Sequence, residues 1–150
     1  MKIGQKGQAF EPFNLLLGAI FALMVLVIII SAISYFDNLN IEASKQKIIS
    51  GLQAATKQPN KNQIEIKEVK IRKDSVFSPK SLSEVLGISK ECIEIVPNKY
   101  KAIEYSKENA IVLSEITTNI YARCSTNVEP FISDCEISCQ ISFGEPFEED

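Results

Sequence analysis

The dominant hydrophobic pattern of the sequence is an uninterrupted apolar run from Leu15 to Phe36, which reads LLLGAIFALMVLVIIISAISYF. At about 1.5 Å of helical rise per residue, this run is long enough to cross a hydrocarbon core about 30 Å thick. A secretory signal normally has a shorter apolar stretch, of about 7 to 15 residues, followed by small residues at its cleavage site. The pattern therefore predicts a transmembrane helix. The alternative, a helix buried in a soluble domain, is disfavoured because a chain of 150 residues is too short to cover it on all sides.

Helical spacing continues beyond the apolar run in an amphipathic form. Four apolar residues recur on one face, namely Ile41, Ile48, Leu52 and Ala55. Pro59 supplies a firm stop, because proline cannot continue a helix. We therefore predict one long helix that ends near Thr56 and is apolar in its first part and amphipathic in its second.

After Pro59 the period of the pattern changes from helix to strand. In QIEIKEVKIRK, Ile64 and Ile66 are in phase, whereas the later apolar residues are shifted by one position. A β-bulge near Lys67 and Glu68 would produce this shift. The segment therefore predicts a bulged strand.

The segment SPKSLSEVLG predicts a short helix. Either Ser78 caps it with Pro79 in the first turn, or Ser81 forms a capping box with Glu84. Gly87 is a natural terminator.

The remaining pattern consists of β-branched runs separated by turn residues. CIEIV, AIEY and AIVLSEITTNIYARC are separated by PNK and SKEN turns, which predicts an antiparallel meander. The segment EPFISDCEISCQISF adds a strand or hairpin before an acidic tail. The predicted fold class is α+β, with a long N-terminal helix, transmembrane and then amphipathic, followed by a small antiparallel β-rich domain with one short helix.

The charges that flank the apolar run predict its orientation. Lys2 and Lys6 precede it, whereas Asp37 and Glu42 follow it and no basic residue occurs before Lys45. By the positive-inside rule, the N-terminus is cytoplasmic. We therefore expect a single-pass protein of the cell membrane whose C-terminal domain is extracellular.

All four cysteines lie in the predicted extracellular part, where thiols usually oxidise. They are Cys92, Cys124, Cys135 and Cys139, and they allow three disulfide connectivities. In an extended segment Cys135 and Cys139 are about 13 Å apart and cannot join each other. We expect two disulfides. A four-thiolate zinc site is the alternative, which no Cys-x2-Cys knuckle or histidine supports.

Neither composition nor motifs indicate catalysis. The chain has no histidine, which removes the commonest general base and transition-metal ligand. No nucleophile elbow, phosphate-binding glycine loop or zinc-protease helix occurs. We therefore expect no enzymatic activity and no cofactor, and no nucleic-acid partner is evident.

Charge is distributed unevenly along the chain. Residues 37–73 carry eight Lys or Arg against four Asp or Glu, whereas residues 74–150 carry six against fourteen. The simpler explanation is that both regions are ordinary solvated surface. The functional alternative is that the basic region of one copy attracts the acidic region of a neighbouring copy.

The N-terminal residues carry a family resemblance. Lys6-Gly7-Gln8, then Glu11, then a continuous apolar helix resembles the class III signal peptide of archaeal type IV pilin-like proteins. The resemblance implies that a prepilin peptidase cleaves after Gly7 and leaves Gln8 as the new terminus. It also implies that Glu11 neutralises the terminal amine of a neighbouring subunit.

The resulting hypothesis is a structural subunit of a type IV pilus-like cell-surface filament, with copies of itself or related subunits and the lipid bilayer as partners. Gly18 and Ala22, four residues apart, would allow close approach of helices in its core. The predicted organisation is a leader over 1–7, a transmembrane helix over 8–36, its amphipathic continuation over 37–57 and an extracellular head over 58–150. The alternative is an uncleaved bitopic membrane protein with an extracellular binding module in an envelope complex.

Overall fold

The computed structural model describes residues 11–60, 63–126 and 135–148. The chain divides into two compact units, Met1–Leu39 and Asn40–Asp150. The predicted α+β class is confirmed. The elements are α1 (Glu11–Lys57), β1 (Ile64–Ile71), β2 (Val76–Phe77), α2 (Pro79–Leu86), β3 (Ile93–Ile95), β4 (Ile103–Ser106), β5 (Asn109–Val112), β6 (Ile116–Thr126) and β7 (Ile137–Phe143), with a short 3-10 turn over Lys90–Cys92 before β3.

Helix α1 ends at Lys57, one residue beyond the predicted end. Its predicted apolar face is confirmed, because three of the four residues are buried and the fourth, Ile48, is half-buried. The buried residues are Ile41, Leu52 and Ala55. Gly51 lies on the same side, and a Cβ atom there would collide with the side chain of Ile66. This part of the helix therefore packs directly against β1.

The bulge predicted in β1 is confirmed. The pairing of β1 with β6 shifts register between Ile66 and Val69. Within the bulge Glu68 adopts a left-handed φ of 52°, and its N–H donates to Oδ1 of Asn119 at 3.0 Å. The shift lets Val69 point into the core, where it is fully buried.

Helix α2 begins with the first of the two predicted caps. The backbone N–H of Ser81 donates to Oγ of Ser78, and the N–H of Ser78 donates to Oγ of Ser81, each at 3.2 Å. Pro79 occupies the first turn, and Gly87 ends the helix at φ 69°. The capping box is therefore formed by two serines, not by Ser81 and Glu84.

The strands form two sheets and not the predicted meander. One sheet has the order β1-β6-β7-β3 and the other the order β2-β5-β4. The SKEN turn does join β4 and β5, which pair antiparallel. Strand β3, however, pairs with β7 in parallel, with Ile93 opposite Cys139. The meander prediction is wrong because β3 and β4 belong to different sheets.

The segment after β3 explains why the chain changes sheets. Pro97 has no N–H to donate to a ladder. Asn98 then connects this segment to β7, because its side-chain amide donates to Oγ of Ser142 at 3.1 Å and to the carbonyl of Phe143 at 2.6 Å. Its Oδ1 accepts the hydroxyl of Tyr105 at 2.9 Å. Side-chain hydrogen bonds of Asn98 thus replace the hairpin expected at PNK.

A single core unites the two sheets with α2 and the last turns of α1. Its largest fully buried side chains come from both sheets and from the helix: Phe143, Leu52, Ile120, Ile141, Val69 and Val112. Phe77 of β2 packs on Phe143 of β7 at 4.9 Å between ring centroids. This contact joins one sheet to the other. The part of the predicted final strand or hairpin over 129–134 lies outside the described residues, and the rest forms β7.

Candidate functional site

The first part of α1, over residues 12–39, has the most unusual surface of the molecule, and we call it the apolar half. Within the described residues one helix is long and apolar enough to cross a membrane, and it is α1, with a mean hydropathy of 3.1 over its most apolar stretch and no buried residue there. Leu15 is 75% exposed and Ile28 is 66% exposed. Exposed apolar surface of this extent marks contact with a membrane or with other proteins.

Polar side chains inside the apolar half are satisfied by the helix itself. The hydroxyl of Ser31 donates to the carbonyl of Val27 at 2.8 Å, and that of Ser34 donates to the carbonyl of Ile30 at 3.1 Å. Unsatisfied polar groups are costly in hydrocarbon. These two serines therefore do not prevent the helix from entering an apolar environment.

Gly18 and Ala22 lie one turn apart on the exposed surface of α1. A Cβ atom added at Gly18 would have no neighbour within 4 Å, so none of the residues that the structure describes packs against this glycine. Small residues at this spacing let a second helix approach closely.

The predicted cleavage residues Gly7 and Gln8 lie outside the described residues. Glu11 is the first residue of α1, and its side chain is also outside the described part. The described part of the helix therefore begins at the residue predicted to carry the assembly charge.

Two aromatic residues mark the other end of the apolar run. The rings of Tyr35 and Phe36 pack edge to face with their centroids 6.2 Å apart. Aromatic side chains are enriched where transmembrane helices meet the membrane surface. Their position agrees with the predicted end of the span.

The four cysteines form two disulfides, as predicted. Cys92 bonds to Cys135 and Cys124 bonds to Cys139. Cys124 and Cys139 stand directly opposite each other on β6 and β7. Because no cysteine is free, the four-thiolate zinc alternative is wrong.

The outer face of the four-stranded sheet carries a polar ladder. Nε of Arg123 donates to Oε1 of Gln140 at 2.8 Å, and Nε2 of Gln140 donates to Oε2 of Glu94 at 2.7 Å. The guanidinium of Arg123 also lies 4.4 Å from the ring centroid of Phe147. Arg123 and Phe147 line an open cleft of about 660 Å³. Since the side chains of the ladder form hydrogen bonds with one another, they stabilise the sheet surface.

Beside this cleft, the side chain of Tyr105 is partly buried. The pKa of Tyr105 is raised to about 12, chiefly by burial, with a backbone hydrogen bond to Asn98 opposing the rise and the charge of Glu145 adding to it. The neutral phenol is therefore held as a donor to Asn98, which is a structural role.

Two exposed residues of the head were not singled out by the sequence. Val76 and Leu113 are 54% and 45% exposed, and within the described residues they are the large apolar side chains outside α1 with such exposure. Both belong to β-patterned segments, and sequence alternation does not reveal which face remains uncovered.

Comparison with known proteins leaves the chain without a match, since no protein family, curated protein or solved structure is similar to it.

Proposed function

We propose that this chain is a structural subunit of a type IV pilus-like filament at the cell surface. Helix α1 holds the precursor in the membrane and then packs against the same helix of other copies in the filament core. The head forms the outer surface. Head-to-tail contacts of this kind generate open helical assemblies when the rotation between copies does not close a ring.

The main support for the proposal is the difference in side-chain exposure between the first and the second part of α1. The stretch over 12–39 has every described side chain exposed, whereas Leu52 and Ala55, further along the same helix, are only 2% exposed. A helix that served the head alone would have no reason to extend an apolar surface this far. The exposed part is suited to lipid before assembly and to neighbouring helices afterwards.

Glu11 supplies the charge that assembly needs. Cleavage after Gly7 would remove Lys2 and Lys6 and leave one terminal amine, close in sequence to Glu11. A buried carboxylate or amine alone is heavily penalised, whereas a pair of opposite charges attracts strongly at low dielectric. Pairing between neighbours would therefore fix the register of the helices.

The orientation follows from the flanking charges, with a cytoplasmic N-terminus and an extracellular head. Lysine side chains in a membrane centre each cost about 2.5 to 3.5 kcal/mol. A leader with Lys2 and Lys6 would thus oppose the entry of the helix into an apolar core, which gives its removal by a prepilin peptidase a physical purpose.

Substitution of Glu11 tests the proposal. Glu11→Gln removes the charge without shortening the apolar run, so we expect insertion into the membrane but no filaments. Glu42→Gln is the matched control, because Glu42 lies on the same helix but is exposed and forms a surface ion pair with Lys45 at 3.4 Å. It should assemble normally. Filament length and number by electron microscopy, with membrane fractions probed by immunoblot, provide the readout.

Normal filaments from Glu11→Gln would show that the charge is dispensable. Full-length protein with intact Met1 and no filaments in the wild type would favour the bitopic anchor with an extracellular binding module.

A further inference from the structure

Strand β3 lies at one edge of the four-stranded sheet, which has the order β1-β6-β7-β3. Among the residues that the structure describes, its one strand neighbour is β7. The two strands run parallel, with Ile93 opposite Cys139 and Ile95 opposite Ile141. A strand at the edge of a sheet presents a row of backbone N–H and C=O groups that the sheet itself does not use.

The hydrogen bonds on the paired side of β3 show which groups belong to its open side. The N–H of Val96 donates to the carbonyl of Ile141 at 2.8 Å. Backbone groups alternate in direction along a strand, so Glu94 also turns its N–H and C=O towards β7. The backbone N–H and C=O groups of Ile93 and Ile95 therefore point away from β7, towards the open side.

Three of these four groups have no hydrogen-bond partner within the described part of the chain. The N–H of Ile93 donates to the carbonyl of Lys90 in the preceding turn. The C=O of Ile93 and both the N–H and the C=O of Ile95 have no such partner among residues 11–60, 63–126 and 135–148. Pro97 ends the row, because proline has no N–H. The open side of β3 thus offers one donor and two acceptors.

An open cleft of about 470 Å³ follows this edge. It is lined by nearly every residue from Glu91 to Pro97. Pro79 at the start of α2 and the β4–β5 turn of the other sheet, with Lys107 and Glu108, also line it. The edge therefore lies in a groove between the two sheets, which we call the β3 groove.

The side chains of β3 leave its open backbone groups accessible from the β3 groove. Ile93 and Ile95 point into the core and are 5% and 8% exposed. The carboxylate of Glu94 accepts a hydrogen bond from Nε2 of Gln140 at 2.7 Å, which holds it over the outer face of the sheet. What the strand presents to the groove is therefore backbone, and the natural complement of an unpaired strand is another extended backbone.

The charged side chains that line the β3 groove are mainly acidic. Glu91, Glu94 and Glu108 line it together with one base, Lys107. Lys90 forms an ion pair with Glu91 at 3.7 Å, and the two side chains are 62% and 67% exposed, so this pair is weak. Even with Lys90 counted, three carboxylates stand against two ammonium groups. This balance favours a basic over an acidic partner.

We infer that the β3 groove binds an extended, basic peptide segment of another protein, which adds to the four-stranded sheet as a fifth strand. The N–H of Ile95 donates to a peptide carbonyl, and the carbonyls of Ile93 and Ile95 accept peptide N–H groups. In strand addition of this kind, backbone hydrogen bonds supply the affinity and side chains the specificity. Binding involves the head alone and requires neither the membrane span nor filament formation.

Amide hydrogen exchange of the full chain in detergent, resolved by residue with NMR, tests the open edge first. The amides of Glu94 and Val96 should be protected by their bonds to β7, whereas the amide of Ile95 between them should exchange faster than both. Protection of Ile95 in dilute protein would show that the edge is already covered and would overturn the inference. Protection that grows with the concentration of the chain itself would assign the edge to a second copy and also overturn it.

A synthetic peptide, acetyl-GTVKVTG-amide, then tests strand addition. At ten times its dissociation constant it should slow exchange at Ile95 about tenfold. The same peptide N-methylated at its five central residues is the matched control and should have no effect, because it cannot donate hydrogen bonds. Equal binding of the methylated peptide would indicate docking through side chains and overturn the inference. So would an unchanged Ile95 amide at about 10 mM of the unmethylated peptide.

The preference for a basic partner is tested with the peptide acetyl-GTVEVTG-amide and with one variant of the chain. The acidic peptide should bind more weakly than the basic one, and tighter binding would overturn the assignment of a basic partner. Glu108→Gln should weaken binding of the basic peptide about twofold to fivefold. Glu84→Gln, at an exposed glutamate of α2 that does not line the groove, is the matched control and should leave binding unchanged.

Discussion

The two halves of helix α1 contain similar residues but stand in opposite relations to the rest of the molecule. Leu26 is 53% exposed, whereas Leu52 is 2% exposed and belongs to the core of the head. Gly18 faces open space, whereas Gly51 lies against Ile66. The second half is required for the fold of this chain, and the first half is available to lipid or to other chains. The same residue types thus pack in the core of the head in one half, whereas Leu26 and Gly18 in the other half are exposed.

The largest difference between the halves should appear when a leucine is shortened. Leu52→Ala leaves a cavity in the core, so we expect it to lower the free energy of unfolding of the head by about 2 to 5 kcal/mol. Leu26→Ala should leave that free energy unchanged. Urea unfolding of the full chain in detergent, followed by near-ultraviolet circular dichroism, measures both. Equal effects would abolish the distinction between the halves.

A smaller difference is expected at the glycines. A methyl group at Gly51 must displace the side chain of Ile66, and overpacking of this kind costs about 1 to 3 kcal/mol. Gly18→Ala should not affect the stability of the head, because the added methyl group meets nothing. In an Ile66→Ala background Gly51→Ala should cost much less. Additive effects of these two substitutions would contradict the proposed contact.

The smallest effect concerns a single proton in the head. The pKa of Tyr105 is raised to about 12, from 10.0, chiefly by burial. Folding therefore favours the neutral phenol, and its contribution to stability is complete below pH 10 and is lost as the pH rises towards 12. We expect the absorbance of the ionised phenol of Tyr105 to appear at a higher pH than that of a tyrosine with the ordinary pKa of 10.0, and to be absent in Tyr105→Phe. A difference spectrum between wild type and variant centred near pH 10 would contradict the burial of this side chain.

The sequence predicted features that depend on neighbouring residues. The end of α1 before Pro59, the bulge before Val69 and the cap at Ser78 all follow from local rules of backbone conformation, and the structure agrees with each. The parallel pairing of β3 with β7 was not predictable in the same way, because it joins residues more than 40 positions apart. No local signal at Ile93 identifies Cys139 as its partner.

The disulfides were likewise predictable only in part, because local spacing excludes one pairing and contacts between distant strands decide the rest. Spacing alone excluded a bond between Cys135 and Cys139, which left two connectivities. The choice between them depends on the register of β6 and β7, which places Cys124 opposite Cys139. The apolar run of the candidate site was evident from the sequence, but the unpaired edge of β3 follows only from its parallel pairing with β7.

The comparison between the two halves of α1 has its most direct test at the N-terminus of the mature protein, since the exposed half acts as a filament core only if the leader is removed. We expect mass spectrometry of surface filaments to find Gln8 as the first residue. Gly7→Val should leave full-length protein in the membrane and yield no filaments, whereas Gly4→Val, a matched change elsewhere in the leader, should be processed normally. Met1 at the start of both the wild type and Gly7→Val would contradict the filament proposal.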